Sequence, residues 1–285
     1  MFKKAEKKNV WLKLAVTGTS GSGKTTGALR LARGLLDSIY GKDKERIAFI
    51  DTENRSASLY ADVFDFDVID LEPPFEDSEK FMVAINEAIK CGYKMLIIDS
   101  ATHIWQGILD YKSKLDERGN SYTNWKEASN RFQKVIDAIL QGDIHVICCM
   151  RSKMDYVIEK NDKGKQAPIK VGLSPIMRDG IEYEFSAVFD LDLSHNAIAS
   201  KDRTRLFDGK IFQLSEEIGM KLGEWSGKPT PLTFNDDQIK KAIGFYGEDA
   251  VTIACERLGF ADVKDVPVAK KDEFFAECDK AKKGL

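Results

Sequence analysis

Eight consecutive residues, Gly18-Thr19-Ser20-Gly21-Ser22-Gly23-Lys24-Thr25, match the pattern G-x-x-x-x-G-K-[ST] at every fixed position. Residue types at this spacing suit the holding of a phosphate chain. Glycines let the backbone approach phosphate oxygens and aim successive N–H groups at them. Lys24 supplies a point charge for β- and γ-phosphates, and the Thr25 hydroxyl is placed to ligate Mg²⁺. With Thr26 included, residues 18–26 form the expected loop for a nucleoside triphosphate and its Mg²⁺. The alternative, a Gly/Ser-rich turn with no ligand, fits the flanks poorly. An apolar run over residues 10–16 precedes the loop, and a helical pattern of Ala28, Leu29, Leu31, Ala32, Leu35 and Leu36 follows it. A helix starting there points its positive end at the same anion.

Three other positions carry complementary chemistry. Asp99 ends the run Met95-Leu96-Ile97-Ile98, so a strand would deliver its carboxylate to the sheet edge as a second Mg²⁺ ligand beside Thr25. A strand-end cap of the next helix is the plainer reading of that aspartate. Asp51-Thr52-Glu53 follows another apolar run. Glu53 is the candidate for polarising an attacking water, with Asp51 as the alternative base or as a brace for the strand end. Arg151 and Lys153 follow residues 144–150, where a cation could sense and stabilise γ-phosphate charge. Further along, Arg203 and Arg205 sit two apart; on an extended chain they would face the same way and could serve a neighbouring copy as a finger on its nucleotide.

The elements that must position these groups are legible as short apolar runs at residues 47–50, 95–98 and 144–150, separated by helical spacings such as Ile85, Ala88, Ile89 and Phe132, Val135, Ile136, Ile139. Continuous apolar strands alternating with helices imply an α/β fold with a mostly parallel central sheet covered on both faces. Ligand then binds at the carboxyl ends of the strands. Residues 151–180 are polar and lack apolar periodicity, so they read as a loop. Residues 185–193 and 197–199 read as a hairpin about Ser194-His195-Asn196, and residues 210–214 as one more short strand. Gly227-Lys228-Pro229-Thr230-Pro231 is the clearest linker, giving a core over residues 1–226 and a small helical unit over residues 232–285.

Bulk composition narrows the class. Forty-three basic against 46 acidic residues leave a net charge of −3, so nucleic-acid binding would need a local patch. One exists: between residues 151 and 178, Arg151, Lys153, Lys160, Lys163, Lys165, Lys170 and Arg178 face only Asp155, Glu159 and Asp162, a difference of +4. Tyr156 adds a stacking surface to it. A second stretch, residues 107–124, also reads as a loop; it is charge-neutral but carries Tyr111 and Tyr122, with Trp125 just beyond. Five cysteines, an odd number without metal-ligand spacing, fit reduced thiols. No apolar stretch approaches a membrane span, and no secretory signal follows the basic N-terminus, so no membrane partner and a cytoplasmic location are expected.

Taken together, Lys4-Ala5-Glu6-Lys7-Lys8, the loop at residues 18–25, Phe49-Ile50-Asp51-Thr52-Glu53, Ile97-Ile98-Asp99-Ser100, His145-Val146-Ile147, Arg151-Ser152-Lys153, residues 178–185 and Lys201-Asp202-Arg203-Thr204 resemble the RecA-like recombinases. Within them the chain is most similar to phage and prophage AAA-type P-loop ATPases of the single-strand annealing kind. The likeness spans most of residues 1–210 and leaves the C-terminal unit unmatched. It implies a RecA-like core, ATP and Mg²⁺ as cofactors, Glu53 as catalytic carboxylate, and DNA-contacting segments near residues 108–125 and 152–179. It also implies homo-oligomers on single-stranded DNA in a bacterial host cell, and a single-strand-binding or replication protein as a further partner. RecA itself carries an amide side chain where Arg151 stands. The competing expectation is a nucleotide-gated interaction protein, a loader or regulator of replication without direct DNA contact; a small-molecule kinase is disfavoured by the lack of a lid of clustered arginines.

Overall fold

The structure, a computed structural model, describes residues 4, 7–117, 119, 121–160, 166–231 and 233–284, with backbone alone for residues 154–172. It divides into two compact units, Met1–Lys228 and Pro229–Leu285.

In the first unit, strands β1 (Lys13–Gly18), β2 (Ile47–Asp51), β3 (Phe66–Asp70), β4 (Met95–Asp99), β5 (His145–Lys160), β7 (Ala187–Leu191), β8 (Asn196–Asp202) and β9 (Ile211–Gln213) lie in the order β3-β2-β4-β5-β1-β7-β8-β9. A further strand, β6 (Gln166–Pro175), pairs with β5 alone. The six strands from β3 to β7 run parallel; β8 and β9 close the sheet antiparallel. This is the mostly parallel α/β sheet that the apolar runs predict, with β3 as a strand the sequence did not announce.

Strand alternation sends side chains to two cores. Ala48, Ile50, Leu96, Ile98, Val146 and Cys148 pack with helices α2 (Glu79–Lys90), α3 (Thr102–Asp116) and α4 (Ser121–Gln141). Ile47, Phe49, Met95, Ile97, Ile147 and Cys149 pack on the other face, against α1 (Lys24–Tyr40) and α5 (Glu216–Ser226). One charge sits inside this frame. Lys13, only 6 % exposed, donates from Nζ to the carbonyls of Gly142 (2.9 Å) and Ile144 (2.6 Å), and burial lowers its pKa to about 7.

Two segments expected as loops are regular structure. Residues 107–124 belong almost wholly to α3 and α4: Thr102, Ile104, Gly107 and Ile108 form a buried helical stripe, α3 runs to Asp116 and α4 begins at Ser121. Residues 151–180 are mostly a two-stranded antiparallel ribbon. The last parallel pair of β5 with β1 is Gly18↔Arg151; from Ser152↔Pro175 to Lys160↔Gln166 the strand pairs with β6, with an irregularity between Asp155 and Tyr156. A strand that leaves the sheet needs no run of apolar residues, which is why apolar runs missed it.

The second unit contains α6 (Asp236–Tyr246), α7 (Glu248–Arg257) and α8 (Lys271–Lys282) around Phe234, Val251, Ala254, Cys255, Val266 and Phe274. Asn235 and Gln238 cap α6 reciprocally.

The crossing of α1 and α5 is closer than side chains allow. A Cβ on Gly34 would overlap the Glu216 carbonyl, and one on Gly219 would overlap the Leu31 carbonyl. Replacing Gly34 by alanine therefore lowers stability by about 1–3 kcal/mol, the strain of overpacking outweighing the better helix propensity of alanine. Urea unfolding reads this out; an unchanged or higher midpoint would show that the crossing relaxes freely.

Candidate functional site

Parallel register brings the candidate groups to one edge. Gly18 pairs with Arg151 across β1 and β5, Asp99 with Cys149 across β4 and β5, and Asp51 with Asp99 across β2 and β4. The carboxyl ends of four adjacent strands thus present the loop, the basic residue, the buried aspartate and the acidic turn side by side.

The loop runs from β1 into α1. Gly23 is the N-cap of α1 in the left-handed region (φ 87°), and a Cβ there would also come within 2.9 Å of His195 Nδ1, so the position demands glycine. No acidic residue sits in the first turn of α1. The leading amides of that helix have no intrahelical acceptor, and with no carboxylate competing they favour an anion. The Lys24 ammonium donates to the Thr19 carbonyl at 2.9 Å, folding back over the loop. On the β7–β8 side of the loop lies a cleft of about 240 Å³ bordered by Thr26, Arg30, His195 and Gln213.

Thr25 Oγ1 donates to Asp99 Oδ2 at 2.6 Å. Asp99 is 3 % exposed, and its Oδ1 is buried without a hydrogen-bond partner among the described residues. Burial raises its pKa from 3.8 to about 6, opposed by the Thr25 hydrogen bond and the Lys24 charge. A buried, unpartnered carboxylate oxygen beside a threonine hydroxyl is a hard oxygen donor set, and it fits Mg²⁺.

The acidic turn after β2 separates the two candidate bases. Asp51 is spent: Oδ1 accepts from the Glu53 amide (2.6 Å) and Oδ2 from the Ala57 amide (2.7 Å). It braces the turn, leaving Glu53 free to project. Glu53 Oε1 accepts from Arg151 Nε at 2.9 Å, an ion pair with both side chains partly exposed. The Arg151 amide in turn donates to Thr102 Oγ1 at 2.9 Å. Sequence reasoning missed a third partner, His103. Its Nδ1 lies 2.7 Å from Thr52 Oγ1, and its ring stacks on Phe75 at 4.8 Å. Burial, and then the Arg151 charge, lower its pKa from the ordinary histidine value. A histidine in a helical first turn gives no pattern of its own, so only the fold reveals it.

Other candidates lie elsewhere. Arg203 and Arg205 do not sit on an extended chain. Strand β8 ends at Asp202, whose side chain accepts from the Thr204 and Phe207 amides and from the Thr204 hydroxyl, and Arg205 turns with φ 61°. The two arginines therefore do not face the same way; Arg203 Nη2 donates to the Tyr183 carbonyl at 2.9 Å. Lys153 and Arg178 are exposed at the root of the ribbon. Lys163 and Lys165 lie outside the described residues, as do the side chains of Lys160 and Lys170.

The buried Asp99 has a measurable cost. Its folded pKa of about 6 lies above 3.8, so the folded state holds this proton more tightly, and stability falls as pH rises between those values. In metal-free buffer Asp99→Asn is therefore more stable than wild type at pH 7.5, by up to about 3 kcal/mol, with the difference vanishing near pH 4. Urea titrations at both pH values test this; equal stability at pH 7.5 would contradict a strained carboxylate. Residues 11–212 match the AAA domain family, well over half of the 285 residues. No curated protein matches the chain. Among the described residues no helix is long and apolar enough to cross a membrane. With a phosphate loop opening α1, Asp99 bonded to Thr25 at the carboxyl edge of a parallel sheet, and a family match that spans this whole assembly, the chain belongs to the AAA domain family and its core is a P-loop ATPase.

Proposed function

We propose that the chain is an ATP-hydrolysing RecA-like protein that binds single-stranded DNA and promotes annealing or recombination, of phage DNA in the host cytoplasm, as a homo-oligomer. One observation carries the reading. The Glu53–Arg151 ion pair joins the water-activating candidate to the residue that immediately precedes the cationic ribbon.

In this reading the amides of residues 19–25 and the Lys24 ammonium hold the phosphates, and the Thr25 hydroxyl and Asp99 hold Mg²⁺. Bound there, Mg²⁺ neutralises charge on the phosphate oxygens. The β7–β8 cleft receives the nucleoside, since Asp99 and Glu53 claim the other side of the loop. Glu53 orients the attacking water and accepts its proton. The ion pair occupies a Glu53 carboxylate oxygen, so Arg151 holds Glu53 in place until the guanidinium turns to the charge developing on the transferred phosphate. Ligand on the ribbon acts on the same arginine, so DNA and nucleotide bias one element. The finger offered to a neighbouring copy is Arg205, exposed on its turn, rather than Arg203, which is tied to Tyr183.

Lys24→Ala is expected to lose nucleotide binding or turnover. Glu53→Gln is expected to bind nucleotide as wild type does and to hydrolyse it ~10²-fold more slowly or less. Phosphate release and nucleotide titration measure both; full turnover by either variant removes its residue from the mechanism. For DNA, affinity for single strands should need ATP and fall steeply with salt. Neutralising Lys160, Lys163 and Lys165 together should flatten the slope of log affinity against log salt by about 2, at roughly 0.7 per phosphate contact. Negligible binding at every salt concentration would favour the nucleotide-gated interaction protein instead.

A further inference from the structure

At the foot of the ribbon lies an open cleft of about 690 Å³ bordered by Trp105, Tyr122, Trp125, Lys126, Lys153 and Arg178. Helix α3 gives Trp105, α4 gives the next three residues, the ribbon gives Lys153 on β5, and the segment that follows β6 gives Arg178. Its aromatic wall is preorganised. The rings of Trp105 and Trp125 stack 6.3 Å apart and 21° from parallel, and Phe132 fixes Trp105 from the edge at 5.2 Å. Tyr122, one turn before Trp125 on the same helix, is 88 % exposed and makes no ring contact among the described residues; Trp125 is 41 % exposed.

From this juxtaposition we infer that the cleft holds an unstacked nucleobase of a single strand, with its flanking phosphates on Lys126, Lys153 and Arg178. The inference rests on the DNA reading above and locates the bases within it. The Tyr122 ring left in water, beside a Trp125 ring already met by Trp105 and by the Lys112 ammonium at 5.0 Å, with three cations and one acid, Asp179, around the cleft, suits a ligand that is flat and anionic together. A duplex keeps its bases stacked on one another and offers no face to Tyr122, so the site selects single strands. An apolar peptide would leave the three cations unanswered. The cleft also reports to the nucleotide site. Lys153 and Arg151 are two apart on β5, both exposed and on one face of the strand, so a phosphate drawn to Lys153 pulls on the residue that holds Glu53.

Fluorescence anisotropy with the full chain and an ATP analogue tests the site. The probes are an oligo(dT) strand and a strand of equal length whose central run carries sugar and phosphate but no bases. Wild type is expected to bind oligo(dT) on the order of tenfold more tightly. Tyr122→Ala and Trp125→Ala should each lose that preference while keeping the salt slope. Equal affinity of wild type for the two strands, or a preference retained by Tyr122→Ala and Trp125→Ala, overturns the cleft as a base site while the DNA reading stands. Failure to bind either strand overturns the DNA reading and the cleft with it.

Discussion

The site depends on a single hydrogen bond that spans two strands which are not neighbours. Thr25 lies in the first turn of the helix that follows β1, Asp99 ends β4, and β5 lies between those strands. Their contact at 2.6 Å requires every register across β1, β5 and β4 to be right, because a slip of one residue turns each side chain to the opposite face. The two apolar cores hold that register from both sides, and the close crossing of α1 and α5 clamps the loop-bearing helix onto the sheet. The same construction leaves Asp99 buried with one oxygen unpartnered and its proton held too tightly. A fold that optimised stability alone would not bury that group; a fold that binds a divalent cation gains from it.

Around this anchor the carboxylates divide their work by geometry. Asp51 gives both oxygens to backbone amides and so fixes the direction in which Glu53 leaves the turn. Thr52, between them, accepts from the Ser100 amide at 2.8 Å and meets His103, which locks the acidic turn to the segment after β4. Glu53 is thereby held between the braced turn and the Arg151 guanidinium. Arg151 belongs both to the parallel sheet, through its pairing with Gly18, and to the start of the ribbon, where the Ile176 amide donates to its carbonyl at 2.7 Å. A residue anchored in both places can carry strain from one to the other without any long chain of intermediates.

Most of the fold was written in the sequence in a form that simple rules read. Strands buried on two faces appear as unbroken apolar runs, and the loop at residues 18–25 needs its glycines for reasons of backbone geometry alone. What the rules missed shares one cause: those elements are not covered on both faces. β3 is an edge strand with Val68 and Ile69 exposed, and β6 pairs with one strand only. The α3–α4 region looked like a loop because its polar face outweighs the short stripe of Ile104 and Ile108. In the candidate site, the gathering of Lys24, Thr25, Asp99 and the acidic turn at one sheet edge was legible because spacing along the chain sets where each strand ends. The division of roles between Asp51 and Glu53, the placement of His103 and the turn that separates Arg203 from Arg205 depend on contacts between distant segments, which no local pattern encodes.

The central claim is that main-chain amides and Lys24 hold a triphosphate whose cation is shared by Thr25 and Asp99. Calorimetric titration of wild type with a non-hydrolysable ATP analogue, with and without Mg²⁺, tests it most directly. The account predicts saturable one-to-one binding that Mg²⁺ strengthens in wild type but not in Asp99→Ala. Binding of equal strength with and without Mg²⁺, or no binding in either condition, would contradict it.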